Sequence, residues 1–398
     1  PADQALVTDT LSGGQKKLLG LAKLFIIQPD LLLLDEPDNH LDLAGKAFLE
    51  ELIRSYKGGV VIVSHDRYLL DVVADEIADL EDGRITVYPG NYSEFAFEKQ
   101  ARLLRQQQLF QAQQKEIDRL EQAAHRLLIW GRTYDNEKLI KRGKAIQKRI
   151  ERIDKIDKPV LERRRMQLEL SGWRGSNKVL NIQDLDKVFG TGDAAHEGAG
   201  ETIVLAGLDL LIWHGERVGL VGPNGAGKSV LFRLILGEET PSGGTIAIGP
   251  SVRIGYYDQE HQTLNYSTTL LDTVRSAAQM SESTAVSFLT KFLFTYEQIR
   301  SKVGTLSGGE RSRLQMALLT LTGANFLLLD EPTNNLDIAS TEVLEETLET
   351  FEGTILVISH DRYFLDRVVD RIVDLEDGAL TDYPGNYSDF QAAKAGIT

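Results

Sequence analysis

The chain carries one series of motifs twice, and this duplication limits what it can fold into. Four segments from the N-terminal part recur near the C-terminus, all displaced by the same number of residues, so the two copies align without a gap. The segments are residues 11–15, 35–37, 64–67 and 88–93 in the first copy and residues 306–310, 330–332, 359–362 and 383–388 in the second. Equal spacing over four motifs indicates a duplicated domain.

Short apolar runs in each copy end in polar residues, which is typical of buried strands in a parallel sheet. In the first copy Leu31–Leu34 and Val60–Val63 end in this way, and Leu327–Leu329 does so in the second. Ligands of open α/β sheets bind at the carboxyl ends of such strands. We therefore predict an α/β fold with a ligand site at those ends.

One segment of the second copy has the spacing of a phosphate-binding P-loop. It follows a predicted strand, Arg217–Val221, and precedes a predicted helix, Val230–Leu236. Its glycines let main-chain N–H groups point at phosphate oxygens, while a lysine reaches the β and γ phosphates and a serine holds magnesium. A glycine-rich turn without a ligand is the other interpretation. The residues concerned are Gly222, Pro223, Asn224, Gly225, Ala226, Gly227, Lys228 and Ser229.

Other residues of the second copy supply the remaining groups that ATP hydrolysis requires. Asp330, at a strand end, suits a water-mediated hold on magnesium, and Glu331 suits a general base for the attacking water. Gln259 is predicted to reach both magnesium and that water, and His360 to hydrogen-bond the γ phosphate.

A basic helical segment separates the two copies. Residues 97–170 contain 19 Lys and Arg against 11 Asp and Glu, whereas the whole chain has a net charge of −15. The sequence predicts a helix from Glu98 to about Leu128, a break at Trp130–Asn136 and a helix from about Glu137 to Asp157, paired as an antiparallel hairpin. The hairpin is either a solvated spacer or an arm that contacts nucleic-acid phosphates through Arg132, Lys138, Lys141, Arg142, Lys144, Lys148 and Arg149.

Composition excludes several classes of protein. The acidic net charge argues against a surface that coats nucleic acid throughout, and the absence of cysteine excludes disulfides and thiolate metal sites. No apolar run has the length of a membrane span. We expect a soluble, cytoplasmic protein with no membrane association and no obligate protein partner.

Together these motifs resemble the ATP-binding cassette superfamily, in which Leu-Ser-Gly-Gly-Gln, here Leu11–Gln15, is the signature and Asp-Glu-Pro ends the Walker B strand. Two cassettes on one chain, the charged helical linker and the Tyr-Pro-Gly-Asn-Tyr-Ser segments resemble the ABC-F subfamily. The resemblance implies two P-loop NTPase cassettes, ATP and Mg²⁺ as ligands, and intramolecular pairing in which each ATP lies between one P-loop and the other signature.

By that rule Ser12, Gly13 and Gly14 face the nucleotide held by residues 222–229. The second site would use Ser307, Gly308 and Gly309 with Asp35, Glu36 and His65, and Asp35 would bind its metal. Its P-loop lies outside the sequence, so the chain is expected to be either a fragment that begins inside the first cassette, which we favour, or a naturally truncated protein. Phe189 is a candidate for stacking on adenine, with a buried structural aromatic as the other interpretation.

The predicted domains are an incomplete first cassette at residues 1–96, a helical hairpin linker at 97–170 and a complete second cassette at 171–398. The resemblance implies an ATPase that acts on the ribosome to regulate translation, its linker approaching the peptidyl-tRNA site and contacting rRNA and tRNA. The alternatives are ribosome protection against antibiotics and a DNA-associated ATPase. The fused cassettes disfavour the energy subunit of a membrane transporter.

Overall fold

The computed structural model describes residues 13–39, 41–81, 83–153, 166–170, 172–190, 202–259 and 264–396. The chain divides into two compact units: residues 1–73 together with 165–398, and residues 74–164. The domain boundaries at residues 96 and 170 stay a prediction.

The first unit contains elements from both copies of the repeat. In the first copy these are α1 (Gly13–Ile27), β1 (Leu31–Asp35), α2 (Leu43–Ser55), β2 (Gly59–Val63) and α3 (Arg67–Val73). The second unit contains β3 (Glu76–Glu81), β4 (Arg84–Pro89), α4 (Tyr92–Thr133) and α5 (Glu137–Glu151). The first unit resumes with β5 (Lys178–Phe189), β6 (Thr202–Trp213), β7 (Arg217–Val221), α6 (Lys228–Leu236), β8 (Gly243–Ile248), β9 (Ile254–Tyr257), α7 (Leu270–Ala277), α8 (Glu282–Lys291), α9 (Tyr296–Arg300), a 3-10 turn (Val303–Thr305), α10 (Gly308–Leu321), β10 (Phe326–Asp330), α11 (Ile338–Thr350), β11 (Thr354–Ile358), α12 (Arg362–Val368), β12 (Arg371–Glu376), β13 (Ala379–Pro384) and α13 (Tyr387–Lys394).

A six-stranded sheet in the order β13-β12-β7-β11-β10-β9 forms the centre of the second copy, and all its pairings are parallel except β12 with β13. Every residue of β10 and β11 is buried, as expected for central parallel strands covered on both faces. One face packs on α6 and on the antiparallel sheet β6-β5-β8, and the other on helices that include α10 and α11. The predicted α/β class is confirmed.

The two described strands of the first copy's parallel sheet, β1 and β2, are covered on one face only. Leu33 is 71% exposed, whereas Leu328, its equivalent in β10, is fully buried. The difference arises because Leu328 packs in the cluster that contains Phe232 of α6, and the described residues of the first copy include no equivalent of that helix. Full burial of such a side chain contributes about 1.5–3 kcal/mol.

The second unit contains the predicted helical hairpin, with helix bounds that differ from the prediction. Helix α4 begins at Tyr92 rather than Glu98, because Asn91 and Glu94 form a capping box, and it ends at Thr133. The predicted break was therefore placed too early, since Trp130 lies inside the helix. Helix α5 ends at Glu151. Its predicted end near Asp157 falls within residues 154–165, which lie outside the described part of the chain.

Two glycines explain why α4 and α5 pack closely as an antiparallel pair. A Cβ on Gly131 would lie 2.6 Å from Cγ1 of Ile140, and one on Gly143 would lie 2.8 Å from Cγ of Leu128. A glycine often indicates a break in a helix, but these two glycines instead allow the helices to approach each other closely. Among the helices of the described residues, none is both long enough and apolar enough to cross a membrane.

Candidate functional site

The loop between β7 and α6 has the backbone that a phosphate-binding loop requires. Gly222, Gly225 and Gly227 have φ angles of 144°, 85° and 104°, in the region that favours glycine. A Cβ on Gly222 would lie 2.2 Å from the carbonyl oxygen of Leu375, and one on Gly227 would lie 2.7 Å from Cγ1 of Val204. Gly227 caps α6 without a side-chain hydrogen bond, so the start of the helix presents N–H groups suited to an anion.

Lys228 lies folded over this loop. Its Nζ donates to the carbonyl oxygens of Gly222 at 2.7 Å and Pro223 at 2.9 Å. Burial lowers the pKa of Lys228, while Glu331 and neighbouring carboxylates oppose that shift. A phosphate would give this ammonium a charged acceptor in place of neutral carbonyls.

Two carboxylates follow β10 at the same end of the sheet. Asp330 is 4% exposed and Glu331 is 7% exposed. Glu331 adopts a φ of 48° and donates its N–H to the carbonyl oxygen of Ile358 at 2.9 Å; Glu36, its equivalent in the first copy, has a φ of 45°. Burial, together with the charge of Asp330, raises the pKa of Glu331 to about 8.

His360 lies next to this carboxylate. Its Nε2 is 3.5 Å from Oε1 of Glu331, and its main-chain N–H donates to Oε2 at 3.3 Å. Burial, with the charges of Lys228 and Lys46, lowers the pKa of His360 to about 3, so the ring is neutral at pH 7. Its Nδ1 is buried without a hydrogen-bond partner among the described residues.

A cavity of about 660 Å³ brings most of the predicted site residues of the second copy together. From that copy it is lined by Asn224, Gly225, Gly227, Lys228, Ser229, Gln259, Asp330, Glu331 and His360, among others. The first copy contributes Asp38, Asn39, Leu41, Lys46, His65 and Asp66. The cavity is thus shared by the two copies.

Several predicted residues lie elsewhere. Phe189 is 38% exposed at the end of β5, with Nζ of Lys187 4.7 Å from its ring centroid, and it does not line the cavity; its stacking on adenine stays a prediction. Asp35 is exposed, unlike Asp330, and Glu36 is also outside the cavity. Ser12 lies outside the described residues. The other signature glycines begin helices. Gly13 and Gly14 open α1, and Gly308 and Gly309 follow the cap Ser307 of α10 and are not among the residues that line the cavity.

The oxygen groups in the cavity fit Mg²⁺ better than a transition metal. Within the described residues no three His, Cys, Asp or Glu side chains gather as a metal site. Ser229, Gln259 and Asp330 offer a hydroxyl, an amide and a carboxylate, and Mg²⁺ is commonly held by one or two carboxylates together with phosphate and water oxygens.

Two residues of the first copy were missed by the sequence reasoning. Asp42 accepts the main-chain N–H of Asn224 at 3.1 Å; burial would raise its pKa, but the N–H groups of Gly45 and Asn224 hold it below its ordinary value. Lys46 reaches the main chain of His360. The position of Asp42 after a Walker B segment could have identified it as a site residue. The sequence distinguishes Lys46 only in that the equivalent residue of the second copy is Thr341.

Comparison with known proteins supports this picture. A family model described as ABC transporter matches residues 2–39 and 205–334, and a second model with the same description matches residues 78–170. YdiF of Bacillus subtilis, which carries the name of an ATP-binding protein, is 37% identical over 98% of this chain and 59% of its own length. The energy-dependent translational throttle protein EttA of Escherichia coli K12 is 37% identical over 96% of this chain and 67% of its own length. ABC transporter F family member 5 of Arabidopsis thaliana is 35% identical over 98% of this chain.

The fold also matches a solved structure over nearly the whole chain. An archaeal ribosome recycling factor, in complex with a ribosomal stalk protein, aligns with a TM-score of 0.62 at 21% identity, covering 98% of this chain and 67% of its own. The chain spans 54% to 67% of the length of the three relatives named above. The duplicated motifs, the shared cavity and these relatives together establish that the chain belongs to the ABC-F family of tandem ATP-binding cassette proteins.

Proposed function

We propose that this chain binds ATP with Mg²⁺ at residues 222–229 and hydrolyses it to ADP and phosphate. The observation that carries the proposal is the cavity in which the P-loop, Asp330, Glu331, Gln259 and His360 converge. Phosphoryl transfer depends mainly on positioning and on groups that meet the charge of the phosphates. The cavity has both kinds of group.

Each residue has a defined role in this proposal. The N–H groups of the P-loop and Lys228 bind the β and γ phosphates, and Ser229, Gln259 and Asp330 hold the metal. Mg²⁺ supplies charge that polarises the phosphoryl oxygens. Glu331 takes the proton of the attacking water, and neutral His360, 3.5 Å from it, donates to phosphate or to the carboxylate.

The site is completed by the first copy. Asp42 accepts the N–H of Asn224 at 3.1 Å, and Lys46 and His65 line the cavity. Ser12, Gly13 and Gly14 are proposed to meet the γ phosphate when the copies close. The equivalent second site would use Ser307, Gly308, Gly309, Asp35, Glu36 and His65.

We further propose that the protein acts on the ribosome and regulates translation, with the hairpin of α4 and α5 approaching the peptidyl-tRNA site. The seven basic residues from Arg132 to Arg149 are all exposed, and among the described residues Lys141 alone of them has an ion-pair partner, Glu137 at 3.3 Å. Trp130 and Tyr134 are 56% and 75% exposed beside the turn. Exposed aromatic rings between cations suit RNA, because unstacked bases pack on rings while cations meet phosphates. The relative EttA is named as a translational throttle protein.

Ribosome co-sedimentation tests the proposal. The double variant Glu36→Gln and Glu331→Gln should retain ATP and sediment with ribosomes in ATP, because it binds nucleotide without activating water. Lys228→Ala, which weakens phosphate binding, is the matched control. Equal sedimentation of the two variants would reject an ATP-dependent ribosomal function. Repeating the assay with duplex DNA tests the alternative of a DNA-associated ATPase, and repeating it with ribosomes carrying an antibiotic tests the alternative of ribosome protection.

A further inference from the structure

Lys46, on α2 of the first copy, brings a positive charge to the loop that carries His360 in the second copy. Its Nζ donates to Oδ2 of Asp66 at 2.8 Å and to the main-chain oxygen of His360 at 3.0 Å. The side chains of Lys46 and Asp66 are only 12% and 7% exposed, so water screens this pair weakly. One ammonium therefore joins the loop of His65 and Asp66 to the equivalent loop of the other copy.

The main chain of His360 is held on both sides. Its N–H donates to Oε2 of Glu331 at 3.3 Å, and its carbonyl oxygen accepts from Lys46. A displacement of this residue would move the group that orients the carboxylate of Glu331. Misplacement of a reacting group by about 1 Å can lower a rate on the order of a hundredfold.

Lys46 also interacts electrostatically with two equivalent aspartates, one from each copy. Asp66 and Asp361 each accept an N–H that begins a helix, from Leu69 and Phe364 respectively. Burial raises the pKa of Asp361, the charge of Lys46 lowers it, and the charge of Asp66 raises it again. The ammonium thus offsets the repulsion between the two carboxylates.

The second copy has no counterpart of this cation. Its equivalent of Lys46 is Thr341, and its equivalent of Asp38 is Thr333. In the first copy Asp38 accepts the hydroxyl of Ser64 at 2.7 Å, and that hydroxyl accepts the N–H of Asp66 at 2.9 Å. A threonine lacks the four-carbon stem and the charge by which a lysine reaches a neighbouring loop. At this position of the repeat, therefore, the lysine belongs to the first copy and not to the second.

We propose that Lys46 is a positioning residue for the nucleotide site at residues 222–229: from the first copy it holds the main chain of His360, and through it the carboxylate of Glu331, in the arrangement that activates the attacking water. The proposal rests on the proposed ATP hydrolysis. It makes the water-activating carboxylate of one copy dependent on a cation of the other, in addition to any contact with the signature.

Hydrogen exchange of the nucleotide-free chain tests the positioning directly. In Lys46→Met the amide hydrogens of residues 359–361 should exchange about tenfold faster, the effect expected from losing one charge-assisted hydrogen bond. The matched control is Lys57→Met, which removes an exposed lysine just beyond α2 and should leave these residues unchanged. If residues 359–361 exchange at the same rate in Lys46→Met as in the wild-type chain, the proposal is overturned.

Steady-state kinetics separates positioning from binding. Lys46→Met should lower kcat for ATP hydrolysis by about 10–100-fold, the range for residues that orient the groups in direct contact with a ligand. The Kd for ATP should change by less than about threefold. Lys46→Arg, which keeps the charge and the donors, should restore much of the lost kcat. Parallel losses in kcat and in ATP affinity would instead mean a general structural role and would overturn the proposal.

A second variant covers the case in which Lys46→Met unfolds the chain. Lys46→Met with Asp66→Asn leaves no uncompensated charge at Asp66, and it should fold yet remain slow. Full kcat in this double variant would show that Lys46 only neutralises Asp66, against the proposal. A wild-type chain that hydrolyses no ATP would refute the proposed function, while exchange at residues 359–361 would still decide the role of Lys46.

Discussion

Arg67 of the first copy forms a buried ion pair with Glu345 of the second. Its Nη1 donates to Oε2 of Glu345 at 3.2 Å, and its Nη2 bonds Oε1. Exchanging the two copies gives the equivalent pair: Arg362 donates to Oε1 of Glu50 at 2.7 Å. Each arginine also lies over a tyrosine of the opposite copy, Arg67 over Tyr363 and Arg362 over Tyr68. The described parts of the two copies therefore contact each other through residues at equivalent positions of the repeat.

Replacing Glu345 should cost more stability than replacing its equivalent. Glu345 is fully buried and binds both Arg67 and Arg367, so Glu345→Gln leaves a buried charge uncompensated. We expect the free energy of unfolding to fall by about 3–5 kcal/mol, measured by urea denaturation. Glu50 is 14% exposed in its side chain, and its partner Arg362 keeps a hydrogen bond to the carbonyl oxygen of Leu43, so Glu50→Gln should cost less.

Glu349 provides a surface control for this comparison. It also pairs with Arg367, but both side chains are 38% exposed, so Glu349→Gln should change the free energy of unfolding by less than about 1 kcal/mol. Equal effects of the Glu345 and Glu349 changes would contradict the assigned importance of burial.

The rate of ATP hydrolysis should depend on pH through Glu331. A general base acts in its deprotonated form, and burial beside Asp330 raises the pKa of Glu331 to about 8. Consequently kcat/KM, which reports groups of the free enzyme, should rise up to about tenfold per pH unit below pH 8 and level off above it. His360, with a pKa of about 3, stays neutral across this range.

Glu331→Gln is the control for the pH profile. It removes the titrating group while keeping the shape of the side chain, so its residual hydrolysis should show no such rise. A wild-type kcat/KM that is flat from pH 6 to pH 9 would exclude Glu331 as the base that titrates near pH 8.

Steric contact, more than backbone conformation, should make Gly222 irreplaceable in the P-loop. Gly222 and Gly225 both have positive φ, but a Cβ on Gly222 would lie 2.2 Å from the carbonyl oxygen of Leu375, whereas one on Gly225 meets nothing within 4 Å. Gly225→Ala should cost about 1–2 kcal/mol of strain, and Gly222→Ala an additional 1–3 kcal/mol or so of overpacking. Thermal unfolding compares the two, and equal losses would contradict the steric argument.

Sequence reasoning anticipated which residues of the second copy meet in the cavity where each motif lies within one segment, and their roles stay a prediction. The P-loop, Asp330, Glu331 and His360 were predicted because each follows an apolar strand, and parallel strands bring those ends to one edge of the sheet. Asp42, which bonds Asn224, was missed although its place after the Walker B segment offered a signal. Lys46 was missed because its partner, His360, lies in the other copy and no local sequence pattern encodes that contact.

Helix ends were predicted less well because they depend on caps and packing. The capping box of Asn91 and Glu94 extends α4 at its start, and close packing against Ile140 carries it past Gly131. The exposure of Asp35, compared with the burial of Asp330, depends on what covers the sheet, which the repeated motif does not specify.

The exposed lysines and arginine at the start of α5 should carry much of the affinity for RNA. Changing Lys141, Arg142 and Lys144 to alanine removes three exposed positive charges near the hairpin turn. Each cation that meets a phosphate releases counterions, so the slope of log K against log salt should fall by about 2–3 units in ribosome binding measured with ATP.

The matched control changes Arg105, Lys115 and Arg119, which are equally exposed on α4 but farther from the turn. The two triple variants have the same net charge, so only the position of the lost charges distinguishes them. Identical slopes for both would mean that long-range charge, and not contact by the hairpin tip, governs the interaction.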